Sequence, residues 1–154
     1  MARFVWKLEY ETGIPIIDEQ HRRLFETLDQ VQSAVASERP KVEIWGLIQA
    51  LMLNSLEHFR TEEALMAHHG YPDLEAHRHE HEMLMERLAE LDRRFEEGQD
   101  AMALLVTTFM GGWLRHHISE GDFSFVQFMK SGQASAGNSD LLLSLWDQGI
   151  ITFL

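Results

Sequence analysis

Residues 54–62 read NSLEHFRTE and place His58 and Glu62 four residues apart. On an α-helix that spacing puts both side chains on one face, one turn apart. The same face carries apolar residues at three- and four-residue steps, among them Leu51 and Leu65, which is the period of a buried helical stripe. Because a buried carboxylate must be neutralised, paired or bound to a metal, the pair indicates either a buried His–Glu contact or part of a metal site.

Three further segments carry histidine within an apolar helical seam. In chain order they are Ile17, His21, Leu24, Leu28, Val31 and Val35, then Leu74, His77, His81, Leu84, Leu88, Leu91 and Phe95, and finally Met102, Val106, Phe109, Trp113 and His117. Steps of three and four are typical of the seam of a helix bundle. Since histidine has only an intermediate tendency to be buried, its presence in all four seams indicates a shared polar centre.

The composition is that of one acidic globular domain. The chain has 154 residues, of which 45% are apolar, and no cysteine, so a folded core is expected and thiolate metal sites are excluded. The formal net charge of −12 argues against nucleic acid as a partner. The first residues lack the apolar run of a signal peptide, and the longest uncharged stretch, residues 101–114, is too short to span a membrane. We therefore expect a cytoplasmic protein with no membrane partner.

Start and stop signals divide the chain into four helices, which predicts an all-α bundle. The predicted helices run from Asp18 to about Ser37, from Pro40 to about His69, from residues 71–73 to Gly98, and from Gln99 or Asp100 to at least His117. Asp18 suits an N-cap, and Pro40 and Pro72 suit first helical positions. Gly111 and Gly112 fall inside the fourth helix, where we expect close packing against a neighbour to offset their cost of roughly 1 kcal/mol each.

The two ends of the chain differ from the helical part. Residues 1–16 form an N-terminal arm, and we expect its aromatic residues Trp6 and Tyr10 to pack over the helices. Residues 131–140 have the composition of a linker, and residues 141–154 form an apolar tail. The tail either packs on the bundle or serves self-association or contact with a partner. We therefore divide the chain into a four-helix domain, residues 1–130, and a C-terminal extension, residues 131–154, of unknown role.

A further acidic residue follows the fourth seam in the stretch HISEGD, residues 117–122. His117 and Asp122 would not share a face of a straight α-helix, but Gly121 permits a distortion that turns Asp122 inward. The inward candidates are then His21, His58, Glu62, His77, His81, His117 and Asp122. Seven ligands exceed the roughly four that one zinc takes. Two six-coordinate ions, bridged by both carboxylates and by one oxygen, would use them all and keep one position open.

With these residues in place, the sequence resembles the hemerythrin family, in particular its bacterial single-domain form. Besides the seven candidates, the matching residues are Trp6, Tyr10, Gly13, Ile17, Asp18, Gln20, Tyr71, Pro72, Trp113, Leu114 and Ile118. The resemblance covers about residues 4–130. The segments between His21 and His58 and between His81 and His117 look long for the family, and the C-terminal tail has no counterpart in it.

The resemblance implies an antiparallel up-down four-helix bundle that holds two non-haem iron ions with a bridging oxo or hydroxo group. His77, His81 and His117 look like the ligands of a six-coordinate iron. His21 and His58 would hold the iron with the open position, and the two carboxylates would bridge. The activity implied is reversible O2 binding for storage, delivery or sensing, which is not catalysis.

The candidate O2 pocket is formed by Trp113, Leu114 and Ile118. The first two lie four and three residues before His117, so they can share its side of the helix, whereas Ile118 is adjacent and can only flank the site. Ordinary core packing is an equally good role for these residues, and the two roles are compatible.

Four more histidines, His68, His69, His79 and His116, are expected at the surface. The alternative function is a di-iron enzyme that acts on peroxide or nitric oxide or repairs iron centres; a third is a sensor coupled to another protein. Ferritin-like oxidases carry Glu-x-x-His on two helices and more carboxylates. The nearest match here is Asp18-x-x-His21, which favours O2 binding over oxidation.

Overall fold

Residues 4–131, which the computed structural model describes, fold as helices and connecting turns without a strand. The α-helices are α1 (Pro15–Ala36), α2 (Lys41–His68), α3 (Leu74–Glu96), α4 (Met102–His116) and α5 (Phe123–Lys130). A 3-10 turn, Leu8–Tyr10, precedes them, and a π-helical turn, His117–Asp122, joins α4 to α5 in one continuous helical rod. The predicted linker and apolar tail lie outside the described residues, apart from Ser131.

The long helices form a closed ring of neighbours. Each of α1 to α4 packs against the next along the chain, and α4 also packs against α1. The connections are only a few residues long, which makes consecutive helices antiparallel. The predicted all-α, up-down four-helix bundle is therefore confirmed. In the part of the chain that is described, none of the helices has the length and hydropathy needed to span a membrane.

The N-terminal arm packs over the bundle as predicted. The Trp6 ring meets Phe25 of α1 edge-on at 5.7 Å between centroids, and Tyr10 stacks on the same ring at 5.1 Å. The arm is fixed by Asp18, whose Oδ1 accepts hydrogen bonds from the backbone N–H and the hydroxyl of Thr12, both at 2.8 Å.

The helix starts differ from those predicted. Asp18 is not the N-cap of α1, which begins at Pro15 because proline suits the first helical position. Its carboxylate turns back to the arm instead. Pro40 and Pro72 both precede their helices, and α4 begins at Met102, two or three residues later than expected.

The two glycines of α4 have different surroundings. A Cβ on Gly111 would collide with the ring of Phe4, which confirms close packing there. The same expectation is wrong for Gly112, which is exposed and has no neighbouring atom within 4 Å of a Cβ.

Two apolar clusters divide the core. The main cluster fills most of the bundle and includes Leu24, Leu51, Leu88 and Leu114. The end cluster consists of Ile16, Ile17, Leu65, Met66, Tyr71 and Phe125. On α2 the polar residues His58 and Glu62 lie between residues of the main cluster on one side and residues of the end cluster on the other. The candidate ligands of the other helices also lie between the two clusters. A polar layer therefore crosses the bundle between them.

Candidate metal centre

The polar layer brings all seven candidate side chains together from three α-helices and the π turn. Each of them is at most 5% exposed. α1 supplies His21, α2 supplies His58 and Glu62, α3 supplies the next two histidines, and the π turn supplies the last histidine and the aspartate. The side chains approach one another because every ligand lies on the inward face of its helix.

Donor atoms of these residues form two groups, in each of which all atoms lie within 4.8 Å of one another. The three-histidine cluster consists of Glu62, His77, His81 and His117. The two-histidine cluster consists of His21, His58, Glu62 and Asp122. Glu62 belongs to both, so the two clusters adjoin.

Both carboxylates direct one oxygen toward each cluster. Oε1 of Glu62 contacts Nε2 of His77 and lies 3.3 Å from Nε2 of His117, while Oε2 lies 3.0 Å from Nε2 of His58. Oδ1 of Asp122 lies 3.0 Å from Nε2 of His117, and Oδ2 lies 2.8 Å from Nε2 of His21. Each carboxylate can therefore join a cation in one cluster to a cation in the other.

The imidazoles meet through the same ring atom. Nε2 of His21 is 3.0 Å from Nε2 of His58, and Nε2 of His81 is 3.2 Å from Nε2 of His117. A hydrogen bond within either pair would require a proton on one of its two Nε2 atoms. Neighbouring donors at about 2.1 Å from one ion are separated by roughly 3.0–3.4 Å. The spacing fits ligands that share a cation.

Several buried atoms of the centre lack hydrogen-bond geometry. Both oxygens of Asp122 and Oε2 of Glu62 have no hydrogen-bond partner among the described residues, despite their short distances to imidazole nitrogens. Buried polar groups are normally satisfied. Imidazole and carboxylate suit iron and related transition metals, so the residues present fit a pair of iron ions.

Two imidazoles are oriented through their outer nitrogen. Nδ1 of His58 donates to Oε1 of Gln20 at 3.1 Å, and Gln20 in turn donates to Thr61. Nδ1 of His81 donates to Oε2 of Glu63 at 2.7 Å. Such partners fix the tautomer and leave Nε2 free for a metal. Our sequence analysis assigned no role to Gln20 or Glu63, although each directly adjoins a candidate ligand in the sequence.

Charge within the centre is balanced by protons when no metal is bound. Burial raises the pKa of Asp122, as does the charge of Glu62, but His117 and His21 outweigh both, so the pKa of this carboxyl lies well below its usual range. Burial opposes protonation of His77 and His117, yet contacts with the two carboxylates raise their pKa values to about 9 and about 10. A metal would displace these protons.

The pKa of His58 is shifted in the opposite direction. Burial lowers its pKa to about 4, with the neighbouring His21 adding to the shift. This imidazole is therefore neutral near pH 7, the form that binds metals.

The π turn brings Asp122 to the centre. A turn of this type closes at five residues, so His117 and Asp122 come onto about the same face, and the predicted distortion at Gly121 is confirmed. A Cβ on Gly121 would lie 2.7 Å from Cε1 of His77. Glycine is therefore needed there because a side chain would displace a candidate ligand.

The candidate O2 pocket residues border the centre on the side of the main cluster. Leu114 and Ile118 are fully buried. The Trp113 ring stacks on His117 at 4.3 Å between centroids, and Phe59, which we did not predict, stacks on His81 at 3.9 Å.

Of the four remaining histidines, three lie as predicted. His68, His79 and His116 are exposed. The prediction is wrong for His69, which is 3% exposed and lies near Phe125 of the end cluster. His69 lies four residues after Leu65 and seven after Glu62, and its N–H still donates to the carbonyl of Leu65 at 3.1 Å, so it continues the buried stripe of α2.

Comparisons with known proteins agree with this arrangement. The family model described as hemerythrin HHE cation binding domain matches residues 12–128. A bacteriohemerythrin from Stenotrophomonas maltophilia (strain R551-3) is 34% identical over 131 residues, which are 85% of this chain and 84% of the relative.

More distant relatives share the same region. A bacteriohemerythrin from Methylococcus capsulatus (strain ATCC 33009 / NCIMB 11132 / Bath) is 31% identical, with 79% of this chain and 93% of the relative covered. A hemerythrin from Sipunculus nudus is 27% identical, with 82% and 93% covered. A crystal structure of a point mutant superposes with a TM-score of 0.73 at 28% identity, covering 82% of this chain and 97% of its own.

Proposed function

The chain belongs to the hemerythrin family, and from this premise we propose that it binds O2 reversibly at a non-haem di-iron centre. The physiological use would be storage, delivery or sensing of O2. The observation that carries the proposal is the position of Glu62 and Asp122. Each carboxylate directs one oxygen toward the three-histidine cluster and the other oxygen toward the two-histidine cluster.

The donor count supports an open position on one ion. The three-histidine cluster offers three imidazoles and one oxygen from each carboxylate, and the two-histidine cluster offers two imidazoles and the other oxygens. If one further oxygen joins the ions, the first is six-coordinate and the second five-coordinate. His77, His81 and His117 would hold the first ion, and His21 and His58 the second.

The protein's own residues would protect and orient the centre. When bound, the iron pair supplies the redox chemistry and the open coordination position for O2. Leu114 and Ile118 exclude water and protons from this side of the centre, since both are fully buried. Gln20 and Glu63 hold the outer nitrogens of two imidazoles and keep their inner nitrogens available.

The ligand set favours a carrier over an oxidase. Five imidazoles accompany only two carboxylates, whereas ferritin-like oxidases use more carboxylates. Fewer anionic ligands stabilise highly oxidised iron less well, so the reaction should stop at reversible binding.

Elemental analysis and one set of optical spectra test the proposal. We expect two irons per chain after iron-replete expression and an absorption that forms when the reduced protein meets air and disappears under vacuum. One zinc per chain would contradict the di-iron centre. Sustained consumption of O2 or peroxide, without a reversible spectrum, would make the protein an enzyme.

A further inference from the structure

A polar groove lies outside the three-histidine cluster, beside the start of α3 and the π turn. Its volume is about 250 Å³, and it is lined by Asp73, Glu80 and Glu120 together with His77 and His117. No lysine or arginine is among the described residues that line it. This acidic groove therefore combines a negative rim with two imidazoles of the centre.

Gly121 opens the groove to those imidazoles. A Cβ at this position would lie 3.1 Å from Nδ1 of His77 and 3.5 Å from Nδ1 of His117, and Gly121 itself lines the groove. Because glycine has no side chain, the edges of both rings stay reachable from the groove.

His117 presents a polar atom without a partner to this opening. Its Nδ1 has no hydrogen-bond partner among the described residues, although the side chain is only 1% exposed. Oε2 of Glu80 lies 4.0 Å away, too far for a hydrogen bond. The outer nitrogens of His58 and His81, by contrast, are both satisfied.

Two other grooves near the centre carry both signs of charge. The larger, about 660 Å³, runs along α3 and α4 and is lined by apolar residues such as Phe109, by three glutamates and by Arg87. A groove of about 400 Å³ outside His81 is lined by three glutamates together with Arg60 and Arg78. In the acidic groove no lysine or arginine of the described residues offsets the three carboxylates, so a cation is attracted most strongly there.

We propose that the acidic groove is the route by which ferrous iron reaches the centre as a hydrated divalent cation. Asp73, Glu80 and Glu120 attract the ion, and the gap at Gly121 leads it to His77 and His117. The ion exchanges water for imidazole nitrogens, any proton held on His77 or His117 leaves to solvent, and the iron stays ferrous. This inference rests on the proposed di-iron function.

The test is the rate at which metal-free protein takes up Fe²⁺ under anaerobic conditions. Uptake is monitored as the loss of Fe²⁺ from a competing colorimetric chelator. The groove variant combines Asp73→Asn, Glu80→Gln and Glu120→Gln. The control variant combines Glu26→Gln, Glu96→Gln and Asp100→Asn, which removes the same charge from exposed positions away from the groove. Circular dichroism establishes that each variant is folded, and the single change Glu80→Gln is measured alongside.

We expect the groove variant to take up iron at least about threefold more slowly than the control in ~0.01 M salt, with the same final iron content. The difference should shrink at ~0.15 M salt, where the screening length falls to about 8 Å. Equal rates in both variants would overturn the route, and so would a lower final iron content in the groove variant. Wild-type protein that never holds two irons would instead contradict the di-iron function itself.

Discussion

The two ligand clusters lie side by side but differ in their surroundings. In the three-histidine cluster, His77 and His117 line a groove at the surface. The third imidazole, His81, donates to the carboxylate of Glu63, which also pairs with Arg78. This half of the centre is rich in charge and borders the acidic groove, as the proposed route for iron requires.

The two-histidine cluster is sealed by apolar and aromatic groups. His21 and His58 are fully buried, and the Trp6 ring of the arm lies 6.2 Å from the ring of His21. The outer partner of His58 is the neutral amide of Gln20. Having one ligand fewer and a dry surrounding, this half suits a small apolar molecule. The comparison teaches that the two halves of one polar layer differ in charge and in access, and under the proposed function this difference would separate the route of the metal from the place of O2.

The largest effect should follow from removing the ligand that both clusters share. We expect Glu62→Ala to lose at least one iron and to lower stability by about 3–5 kcal/mol, because it leaves buried positive charge without a partner. Iron analysis and thermal unfolding measure both. His79→Ala is the control, since His79 is exposed. If the two variants behave alike, the division into inward and outward histidines is wrong.

The next variant removes apolar side-chain volume beside the centre without changing a ligand. Leu114→Ala should keep both irons but cost about 2–5 kcal/mol of stability and shorten the life of the O2-bound form, because water and protons gain access. Stopped-flow mixing of the reduced protein with O2 measures that decay. Leu104→Ala on the same helix is the control, since Leu104 is 49% exposed. An unchanged decay rate in Leu114→Ala would show that Leu114 does not protect the O2-bound form.

The residues that accept a hydrogen bond from the outer nitrogen of a candidate ligand allow the two clusters to be compared: Glu63 does so in the three-histidine cluster and Gln20 in the two-histidine cluster. Glu63→Ala should weaken iron binding by about 10–100-fold, and Gln20→Ala should weaken it less, because a bond to an ionised acceptor is roughly twice as strong as a neutral one. Competition with a chelator gives both affinities. A larger loss in Gln20→Ala would reverse the proposed difference between the clusters.

The smallest effect should come from the glycine beside the three-histidine cluster. Gly121→Ala should destabilise the protein by about 1–3 kcal/mol, because the new Cβ overlaps His77 and the ring must move. Gly112→Ala should instead stabilise by up to about 1 kcal/mol, since it is helical and exposed with no atom near its Cβ. Chemical denaturation of both metal-free variants checks the opposite signs.

Helical periodicity predicted most of the inward positions because it records which face of each helix is buried. His21, His58, His77 and His81 all follow from steps of three and four within apolar seams. Asp122 does not follow from the seam and required the glycine before it to be interpreted as a distortion.

What periodicity missed depends on contacts between helices or on helix ends. Gln20 and Glu63 each lie next to a ligand but reach a histidine of another helix, and no spacing within one segment indicates such a pair. His69 continues the buried stripe of Glu62 and Leu65 at the end of α2, a periodic signal that our prediction of an exposed residue overlooked. The start of α1 was placed too late because Asp18 has the chemistry of an N-cap but serves the arm.

The π turn also holds one residue more than an α-helical turn of the same rod. Such an insertion is absorbed within the turn, so α5 keeps the rotation that an uninterrupted α-helix would give it. The buried residues of α5, Phe125 and Val126, close this end of the bundle, while the extra residue brings Asp122 inward. Deleting one residue from 117–122 should therefore withdraw Asp122 from the centre and leave Phe125 in the end cluster. The position of this ligand and the closure of the bundle end can thus change independently.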